Sequence, residues 1–346
     1  MIKINNKLVF SYNKPPIIIA EISGNHAGSK KRFLKLIQSA CLNGADLIKI
    51  QTYEPDDITL NLKKNNFKIK NGIWKNKFLW DLYKDACTPY KWHKDAFRIA
   101  KKYKKILFSS PFSKRGVDYL EKLGVKIYKI ASFEITDLNL VDYIGSKKKP
   151  IIISTGMSNF KEIKNAIKII KKYHNKIIIL HCVSNYPTKL EDTNLKRIKF
   201  LKKEFKEYLI GISDHTKNIY SSIASIPLDV VAIEKHYNID DKKTPDSEFS
   251  IKPQLLKELK NASEKIFESL KKNKNSKILK KNIHYRRSIF AKKNIKKNHK
   301  LTRDDIITYR PSIGIGSENF FRILGKKINK NIGKNRPIFF KDLINK

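Results

Sequence analysis

Two histidines in the second half of the chain are placed where they could bind a metal ion. His215 and His236 each follow a short apolar run rich in β-branched residues. Neutral imidazoles bind divalent metals and leave coordination positions open for water and substrate. Asp214 and Glu234 could orient the two rings, and His181 is a third candidate ligand. The alternative is that these histidines make only structural hydrogen bonds.

Two lysines, Lys49 and Lys129, lie inside apolar runs, where a positive charge loses hydration unless it meets an anion. Hydroxyl groups at nearby strand ends would complete a pocket of cations and donors that suits a phosphorylated substrate. Because the chain has no P-loop and no glycine-rich dinucleotide motif, we assign the phosphate to a substrate rather than to a nucleotide. The hydroxyls, each of which could instead bond the backbone, belong to Ser110, Ser132, Ser154 and Ser213.

Two carboxylates could provide acid and base chemistry. Glu21 and Glu134 each stand at a predicted strand end, where they could transfer protons or bind substrate hydroxyls and amides. Either could instead be the ion-pair partner of Lys49 or Lys129. Both interpretations stay open on the sequence alone.

Three tryptophans and one cysteine are predicted to pack rather than to react. Trp74, Trp80 and Trp92 lie in or before helical segments. Cys182 ends an apolar run and is expected to be an inert buried thiol.

These residues need a scaffold that brings distant parts of the chain together. Short apolar runs alternate with lysine-rich segments of helical periodicity, which is typical of repeated strand-helix units. Eight units in about 270 residues predict a (β/α)8 (TIM) barrel. The predicted strands are 17–22, 47–52, 106–109, 127–131, 151–154, 177–182, 209–213 and 230–235, and the clearest predicted helices are 31–43, 91–103, 114–123, 161–173 and 255–270.

All eight predicted strands run into polar residues at their C-terminal ends. In TIM barrels this face carries the active site, built from the ends of several strands. The sequence therefore predicts one catalytic centre at the mouth of the barrel.

The rest of the chain predicts a second, smaller domain. We divide the chain into a barrel over 1–270, a linker rich in lysine and asparagine over 271–284, and a β-rich domain over 285–346. Such a small domain is expected to dock on a larger one. Its predicted strands are 286–291, 306–309 and 338–340.

The charge balance is strongly basic, with 74 basic and 32 acidic residues and a formal net charge of +42. Nucleic-acid binding is therefore a competing hypothesis. However, only 10 of the basic residues are arginines, and the lysines are spread along the chain. We interpret them as compositional drift, which leaves weak nonspecific binding at low salt but no specific nucleic-acid site.

Three scattered cysteines, at 41, 87 and 182, are too few for a disulfide framework and indicate a reducing compartment. No run approaches the ~20 apolar residues of a membrane span, and the first ten residues do not form a signal peptide. We expect a soluble cytoplasmic protein with no membrane partner.

Seven short strings, each at a predicted strand end, together resemble the sialic acid synthase family. The resemblance covers nearly the whole chain, and residues 286–341 are similar to the family's antifreeze-protein-like (SAF) domain. The strings are AEISGNH at 20–26, QTY at 51–53, SPF at 110–112, KIASFE at 129–134, STGM at 154–157, SDHT at 213–216 and EKH at 234–236.

The resemblance implies a condensation. C3 of phosphoenolpyruvate attacks the aldehyde of an open-chain acetamido sugar, water adds at C2, and phosphate leaves by C–O cleavage. It also implies a divalent metal, Mn²⁺ or Mg²⁺, on His215 and His236 that polarises the aldehyde.

Further roles follow from the resemblance alone. Glu21 matches the general acid or base, while Gln51 and Glu134 match residues that contact the metal shell or the sugar. The residues matching those that hold phosphoenolpyruvate are Lys49, Lys129, Ser132, Ser154 and Ser213, with Ser110, Ser184 and Tyr186 as weaker matches.

Arg310 matches an arginine that the family's small domain places over the partner subunit's barrel, where it binds an acyl group of the sugar. The resemblance therefore implies a domain-swapped homodimer.

The substrate-side strings are most similar to the branch of the family that makes pseudaminic acid. They favour 2,4-diacetamido-2,4,6-trideoxy-altrose as the sugar, with N-acetylneuraminate or legionaminate synthesis by the same mechanism as alternatives. Ser110 and Ser184 stand where sialic acid synthases carry Thr and Asn, so the phosphoenolpyruvate shell could be rearranged. The strings are SGN at 23–25, YKWH at 90–93, ASFE at 131–134 and PDS at 245–247.

Overall fold

The computed structural model describes residues 1–6, 8–271 and 281–344. The chain separates into two compact units, Met1–Lys271 and Lys272–Lys346. Most of the predicted linker, residues 272–280, lies outside the described residues. Among the described helices, none has the length and apolar character needed to cross a membrane.

The first unit contains a closed barrel of eight parallel strands in sequential order, which confirms the predicted TIM barrel. A two-stranded hairpin of β1 (Ile2–Lys3) and β2 (Val9–Phe10) precedes it. The barrel strands are β3 (Ile17–Glu21), β4 (Leu47–Thr52), β5 (Ile106–Pro111), β6 (Tyr128–Ile130), β7 (Ile151–Ser154), β8 (Ile177–Cys182), β9 (Leu209–Asp214) and β10 (Ala232–His236).

The barrel strands read as nearly continuous apolar runs because both of their faces are buried. All five residues of β3 and all six of β8 are buried. Side chains alternate along each strand between the barrel interior and the helices outside. Where the strands end, the register pairs Glu21 with Lys49 on one side and with His236 on the other, so the polar ends of β3, β4 and β10 meet.

Helices follow the strands, and the five predicted segments are all helical with ends shifted by at most two residues. The helix Phe160–Lys171 begins where Asn159 and Glu162 form a reciprocal capping box, which satisfies two backbone N–H groups at its start. The helices of this unit are α1 (Lys30–Leu42), α2 (Leu79–Ala86), α3 (Tyr90–Lys102), α4 (Lys114–Lys122), α5 (Leu138–Gly145), α6 (Phe160–Lys171), α7 (Lys196–Glu204), α8 (Tyr220–Ser225) and α9 (Pro253–Leu270).

The connection from β4 to α3 is long and contains a hairpin-like segment, residues 68–78, which we call the flap. Lys68 and Phe78 form an antiparallel bridge at its base. The Ile69 N–H donates to the Lys77 carbonyl at 2.9 Å, and the Asn76 N–H donates to the Ile69 carbonyl at 2.9 Å. Gly72, at φ +80°, permits the turn, because most side chains are strained there.

The second unit has an antiparallel pair, β11 (Ser288–Ala291) and β12 (Ile306–Tyr309), over a small isoleucine-rich core. The predicted strand 338–340 is wrong. The Ile338 N–H donates to the Ile289 carbonyl and the Ile338 carbonyl accepts the Ile315 N–H, but Phe340–Asp342 is a 3₁₀ helix. The Asp342 carboxylate accepts the Phe339 N–H at 3.0 Å and turns the chain there. This unit also has a short α-helix, α10 (Phe320–Ile323), and two further 3₁₀ helices, Ile283–Tyr285 and Ser317–Asn319.

Candidate active site

A cavity of about 310 Å³ opens at the C-terminal ends of the barrel strands, where the sequence predicts the catalytic centre. Side chains from at least six strands converge on it. The residues predicted for the site that line it are Lys49, Gln51, Lys129, Ser132, Glu134, Ser154, Tyr186, Ser213, His215 and His236.

Four buried ionisable side chains lie together beneath this mouth and form what we call the charge cluster: Glu21, Lys49, Lys129 and Glu234. Glu234 Oε1 accepts hydrogen bonds from Lys49 Nζ at 2.9 Å and Lys129 Nζ at 3.0 Å. Ser213 Oγ also donates to Glu234 Oε1 at 3.2 Å. Lys49 forms a second ion pair with Glu21. The two lysines therefore do meet anions inside the protein, and Glu234 is the shared one.

The two carboxylates of the charge cluster differ in their affinity for a proton. Burial alone would raise the pKa of Glu234, but Lys129 and Lys49 outweigh it and hold that pKa well below its ordinary value. Burial raises the pKa of Glu21, and Lys49 offsets this only in part. Glu21 is therefore the member suited to hold and release a proton.

Glu134 pairs with neither of the two lysines in the described structure, so the ion-pair interpretation holds for Glu21 but not for Glu134. Burial raises the pKa of Glu134 to about 7. Its Oε2 atom is buried without a hydrogen-bond partner among the described residues. A buried polar atom left in this way at a cavity wall marks a position that a ligand can satisfy.

Hydroxyl groups lie around the charge cluster. Within the described ranges, Ser154 Oγ is buried and has no hydrogen-bond partner. Ser132 Oγ accepts the Gly156 N–H at 3.1 Å. A Cβ at position 156 would lie 2.0 Å from Ser184 Oγ and 2.9 Å from Ser132 Oγ, so any larger residue there would have to displace these hydroxyls.

The two predicted metal-binding histidines are neighbours, with ring centroids 5.3 Å apart. His215 donates from Nδ1 to the Val183 carbonyl at 2.8 Å, so Nε2 has the lone pair when the ring is neutral. Burial alone would lower the pKa of His215, but the adjacent Cys182 outweighs it and raises this pKa. Burial and the nearby His215 hold the pKa of His236 well below its ordinary value, so this ring is neutral. In the part of the chain that the structure describes, His236 Nδ1 is buried without a partner.

The residues expected to orient these rings do not do so. Asp214 faces away from the cavity, where it pairs with Lys235 at 3.4 Å and accepts from Ser222 Oγ at 2.5 Å. Glu234 belongs to the charge cluster instead. His181 donates from Nε2 to the Thr193 carbonyl at 2.8 Å and lies outside the cavity lining, so it is a packing residue.

Cys182 is buried, as the sequence predicts, but it also belongs to the site. It lines the cavity, and its Sγ lies 3.9 Å from His215 Nδ1. Burial alone would raise the pKa of Cys182, but the adjacent His215 outweighs it and lowers this pKa to about 7. The alternation of side chains along β8 could have predicted that Cys182 faces the cavity, because residues 180 and 182 face inward while His181 faces outward.

Trp74 was predicted only to pack, yet it also lines the cavity from the flap. Its ring lies 5.5 Å from that of Tyr186 and 6.2 Å from that of Phe249. Its indole N–H donates to the Pro245 carbonyl at 2.8 Å, which ties the flap to the connection after β10. Trp92, as predicted, packs in the core beside Phe33.

Four predicted site residues are absent from the described cavity lining. Glu21 lies behind Lys49, and Ser110 is buried on β5 with its hydroxyl unpaired in the described structure. Ser184 stands beside Cys182, with Oγ 3.9 Å from Sγ. Arg310 belongs to the second unit, where it is exposed.

The fold and site are typical of a barrel enzyme with its cavity at the C-terminal ends of the strands, and comparison with known families agrees. The model of the NeuB family matches residues 36–275, and the SAF domain matches residues 286–344. The chain belongs to the NeuB family. The predicted resemblance to sialic acid synthases, including their small C-terminal domain, is thereby confirmed.

Relatives with curated names show which enzymes of the family this chain resembles. The chain is 40% identical to pseudaminic acid synthase of Campylobacter jejuni over 328 residues, covering 93% of this chain and 95% of that one. It is 36% identical to N,N'-diacetyllegionaminic acid synthase of the same organism, covering 92% and 97%. Among solved structures, N-acetylneuraminic acid synthetase from Leptospira borgpetersenii aligns with a TM-score of 0.70 at 30% identity, covering 78% of this chain and 90% of that one.

Proposed function

We propose that this protein is a pseudaminic acid synthase, which condenses phosphoenolpyruvate with 2,4-diacetamido-2,4,6-trideoxy-altrose. In this reaction a carbon–carbon bond forms between C3 of phosphoenolpyruvate and the sugar aldehyde carbon. Water adds at C2, and cleavage of the bond between C2 and the phosphate oxygen releases inorganic phosphate. The 40% identity to the Campylobacter jejuni enzyme supports this choice of sugar.

The observation that carries the proposal is the charge cluster beneath a cavity that also contains two histidines. Lys49 and Lys129 supply two ammonium groups at the cavity surface. Phosphoenolpyruvate carries a phosphate and a carboxylate, and both need cations or donors to replace their hydration. We assign their binding to Lys49 and Lys129 with the hydroxyls of Ser132, Ser154 and Ser213, and in a supporting role to Ser110, Ser184 and Tyr186.

Proton transfer is assigned to Glu21. Its raised pKa suits a group that exchanges a proton during the reaction, and its contact with Lys49 links it to the phosphoenolpyruvate site. Gln51 and Glu134 line the cavity and would bind the hydroxyl and amide groups of the sugar. The unpaired Oε2 of Glu134 supports this assignment.

A divalent metal, Mn²⁺ or Mg²⁺, fits the pair of histidines. His236 is neutral with a free ring nitrogen, and the hydrogen bond at His215 Nδ1 leaves Nε2 of that ring free. Within residues 1–6, 8–271 and 281–344 no group of three or more His, Cys, Asp or Glu could hold a metal. His215 and His236 would therefore share the ion with water and substrate oxygens. A bound metal would polarise the sugar aldehyde.

The second unit is assigned to the sugar end of the site in a homodimer. We propose a catalytic barrel over 1–270, a linker over 271–284 and an SAF domain over 285–346. Arg310 of one subunit would bind an acyl group of the sugar held by its partner's barrel. Its exposed position within its own unit is compatible with such a contact. The reaction would take place in the cytoplasm, where phosphoenolpyruvate is made.

The testing experiment measures phosphate release with phosphoenolpyruvate, Mn²⁺ and either 2,4-diacetamido-2,4,6-trideoxy-altrose or N-acetylmannosamine, with product masses determined in parallel. We expect phosphate and a nonulosonic acid only with the altrose derivative. Absence of phosphate release with every sugar would contradict the proposed reaction.

The second candidate function keeps the reaction and changes the sugar to that of a legionaminate or N-acetylneuraminate synthase. The 36% identity to the legionaminic acid enzyme supports this second candidate. A legionaminic acid precursor added to the same assay tests it, because the products differ in stereochemistry and are separated by chromatography.

A further inference from the structure

The segment that carries His215 is bound from behind, on the side of β9 and β10 that faces away from the cavity. His215 stands between Asp214 and Thr216 in the chain. Asp214 Oδ1 accepts the Thr216 N–H at 2.9 Å, and Thr216 Oγ1 donates to the Asn218 carbonyl at 3.0 Å. Ser222 Oγ of α8 donates to Asp214 Oδ2 at 2.5 Å. Both neighbours of His215 are therefore fixed by hydrogen bonds that do not involve its ring.

Lys235 connects this segment to the strand that carries the other histidine. It directly precedes His236 on β10, and the strand register pairs it with Asp214 of β9. Its Nζ donates to the Thr216 carbonyl at 2.6 Å and to Thr216 Oγ1 at 3.3 Å, and it lies 3.4 Å from Asp214 Oδ2. Lys235 therefore links the strand end of His236 to the residues on either side of His215.

We call these four residues, Asp214, Thr216, Ser222 and Lys235, the outer network, and all four are buried. The side chains of Lys235 and Asp214 are only 0% and 1% exposed. A buried ion pair contributes little net stability, because the cost of desolvation offsets the attraction, and apolar residues of similar volume can often replace it. Barrel stability alone therefore does not account for a lysine here. A fully bonded polar network does fix the positions of the groups that it connects.

The two imidazole rings depend on the backbone for their relative position. They come from adjacent strands of the barrel, and their centroids are 5.3 Å apart. Metal–ligand distances in proteins vary by only about 0.2 Å around their preferred values. A small shift of one strand end against the other would therefore weaken the binding of an ion by both His215 and His236.

We propose that Asp214 and Lys235 are positioning residues for the metal site, which hold the His215 segment against β10 so that both imidazoles can bind one divalent cation. The inference rests on the proposed function, which assigns Mn²⁺ or Mg²⁺ to His215 and His236. It adds that the geometry of this site is set from the outer side of the strands, by residues that act through the backbone.

The test measures Mn²⁺ binding to the metal-free protein by calorimetry, without substrates. The double variant Asp214→Asn/Lys235→Met removes the ion pair and leaves no buried charge unpaired, so we expect it to fold. Its dissociation constant for Mn²⁺ should rise about 10- to 100-fold, as is typical when residues that orient metal ligands are changed. Phosphate release should fall at low Mn²⁺ and recover towards the wild-type rate at saturating Mn²⁺.

A milder variant, Ser222→Ala, keeps the ion pair and removes one hydrogen bond to Asp214. It should weaken Mn²⁺ binding severalfold, and it tests the inference even if the double variant does not fold. Circular dichroism measures folding in each case.

The matched control is the double variant Asp46→Asn/Lys260→Met. Lys260 pairs with Asp46 at 2.9 Å, and Asp46 also accepts a backbone N–H, that of Ile18, at 2.9 Å. This ion pair likewise joins two elements, but it lies where β3 and β4 begin, at the end of the strands opposite the cavity. The control should keep the wild-type Mn²⁺ affinity whatever its stability.

Wild-type Mn²⁺ affinity in a folded variant of the outer network, or an equal loss in the control, would overturn the inference. The readouts also separate it from the proposed reaction. If the wild-type protein binds Mn²⁺ but releases no phosphate, the reaction is contradicted, while weaker Mn²⁺ binding in the outer-network variants still supports the inference. A wild-type protein that binds no Mn²⁺ contradicts both.

Discussion

At the scale of single residues, Glu234 is the side chain on which the site depends most. It is the shared counter-ion of two buried lysines and also accepts a bond from Ser213. Buried ammonium groups that lose their anion are far more costly than exposed ones, because water cannot replace the lost interaction. Without Glu234, Glu21 would be the one carboxylate of the charge cluster left to balance Lys49 and Lys129.

Glu234→Gln should lower the free energy of unfolding by about 3–5 kcal/mol and reduce phosphate release strongly. Denaturant titration and the phosphate assay measure the two effects. Glu248→Gln is the control, because Glu248 is an exposed carboxylate of the connection that follows β10. Similar stability of the two variants would mean that Glu234 does not carry the charge balance of the cluster.

The raised pKa of Glu134 predicts that the stability of the protein depends on pH. Its pKa is raised to about 7 in the folded protein by burial, so between its ordinary value of 4.5 and about 7 the folded state holds a proton that the unfolded state has lost. Stability therefore falls as pH rises through this window. Glu134→Gln should remove that part of the slope, which urea titrations at pH 5, 6, 7 and 8 would reveal. An unchanged slope would contradict the assignment.

His236→Ala should abolish turnover and metal binding while leaving the fold intact. The ring contributes a neutral nitrogen to the proposed metal site and has no side-chain bond that the fold requires. Metal content by mass spectrometry and circular dichroism measure the outcome. His174→Ala, a change at a half-buried histidine outside the cavity lining, is the control. Wild-type metal content in His236→Ala would remove His236 from the site.

How far the site was predictable differs between residues for a physical reason. Residue types at strand ends identify Lys49, Lys129, Ser213 and His236 because polar groups in such positions are costly without a function. Strand alternation decides which residue each carboxylate pairs with. Glu234 and His236 face inward, while Lys235 between them faces outward and pairs with Asp214. The alternation of side chains along a strand predicts these directions, whereas the position of an apolar run does not.

At the scale of elements, the flap is the part of the site with the fewest sequence signals. The barrel strands are predicted within two residues because each is a short β-branched run between polar segments. The connection over residues 53–78 has neither the two-residue period of a strand nor the 3.6-residue period of a helix. Its approach to the cavity therefore depends on particular contacts, such as that of Trp74 with Pro245. Cavity walls built by long connections are therefore the least predictable part of a barrel enzyme.

Trp74 should determine how well the flap closes over the sugar. Trp74→Ala removes both the ring contact with Tyr186 and the bond to Pro245, and should raise the KM for the sugar about 10-fold or more. Trp74→Phe keeps a ring but loses the bond, so it should have an intermediate KM. The KM for phosphoenolpyruvate should stay unchanged in both variants. A parallel rise in the two KM values would place Trp74 outside the sugar site.

At the scale of the whole molecule, the proposed domain swap predicts complementation between inactive subunits. Arg310→Ala impairs the domain that covers the partner's barrel, and His236→Ala impairs the barrel itself. A mixed dimer would contain one intact site, so equal mixing should restore about a quarter of the wild-type rate when sugar is limiting. Subunit exchange followed by the phosphate assay measures this. Mixtures no more active than the separate variants would contradict a shared site.

The charge cluster also has a consequence for the order of folding during synthesis. Glu234 lies 185 residues after Lys49 and 105 residues after Lys129 in the chain. Both lysines therefore leave the ribosome long before their shared anion, and an incomplete barrel would have to bury two ammonium groups beside Glu21 alone. Partial barrels are disfavoured by this charge imbalance. We therefore expect the barrel of the nascent chain to stay open until β10 emerges.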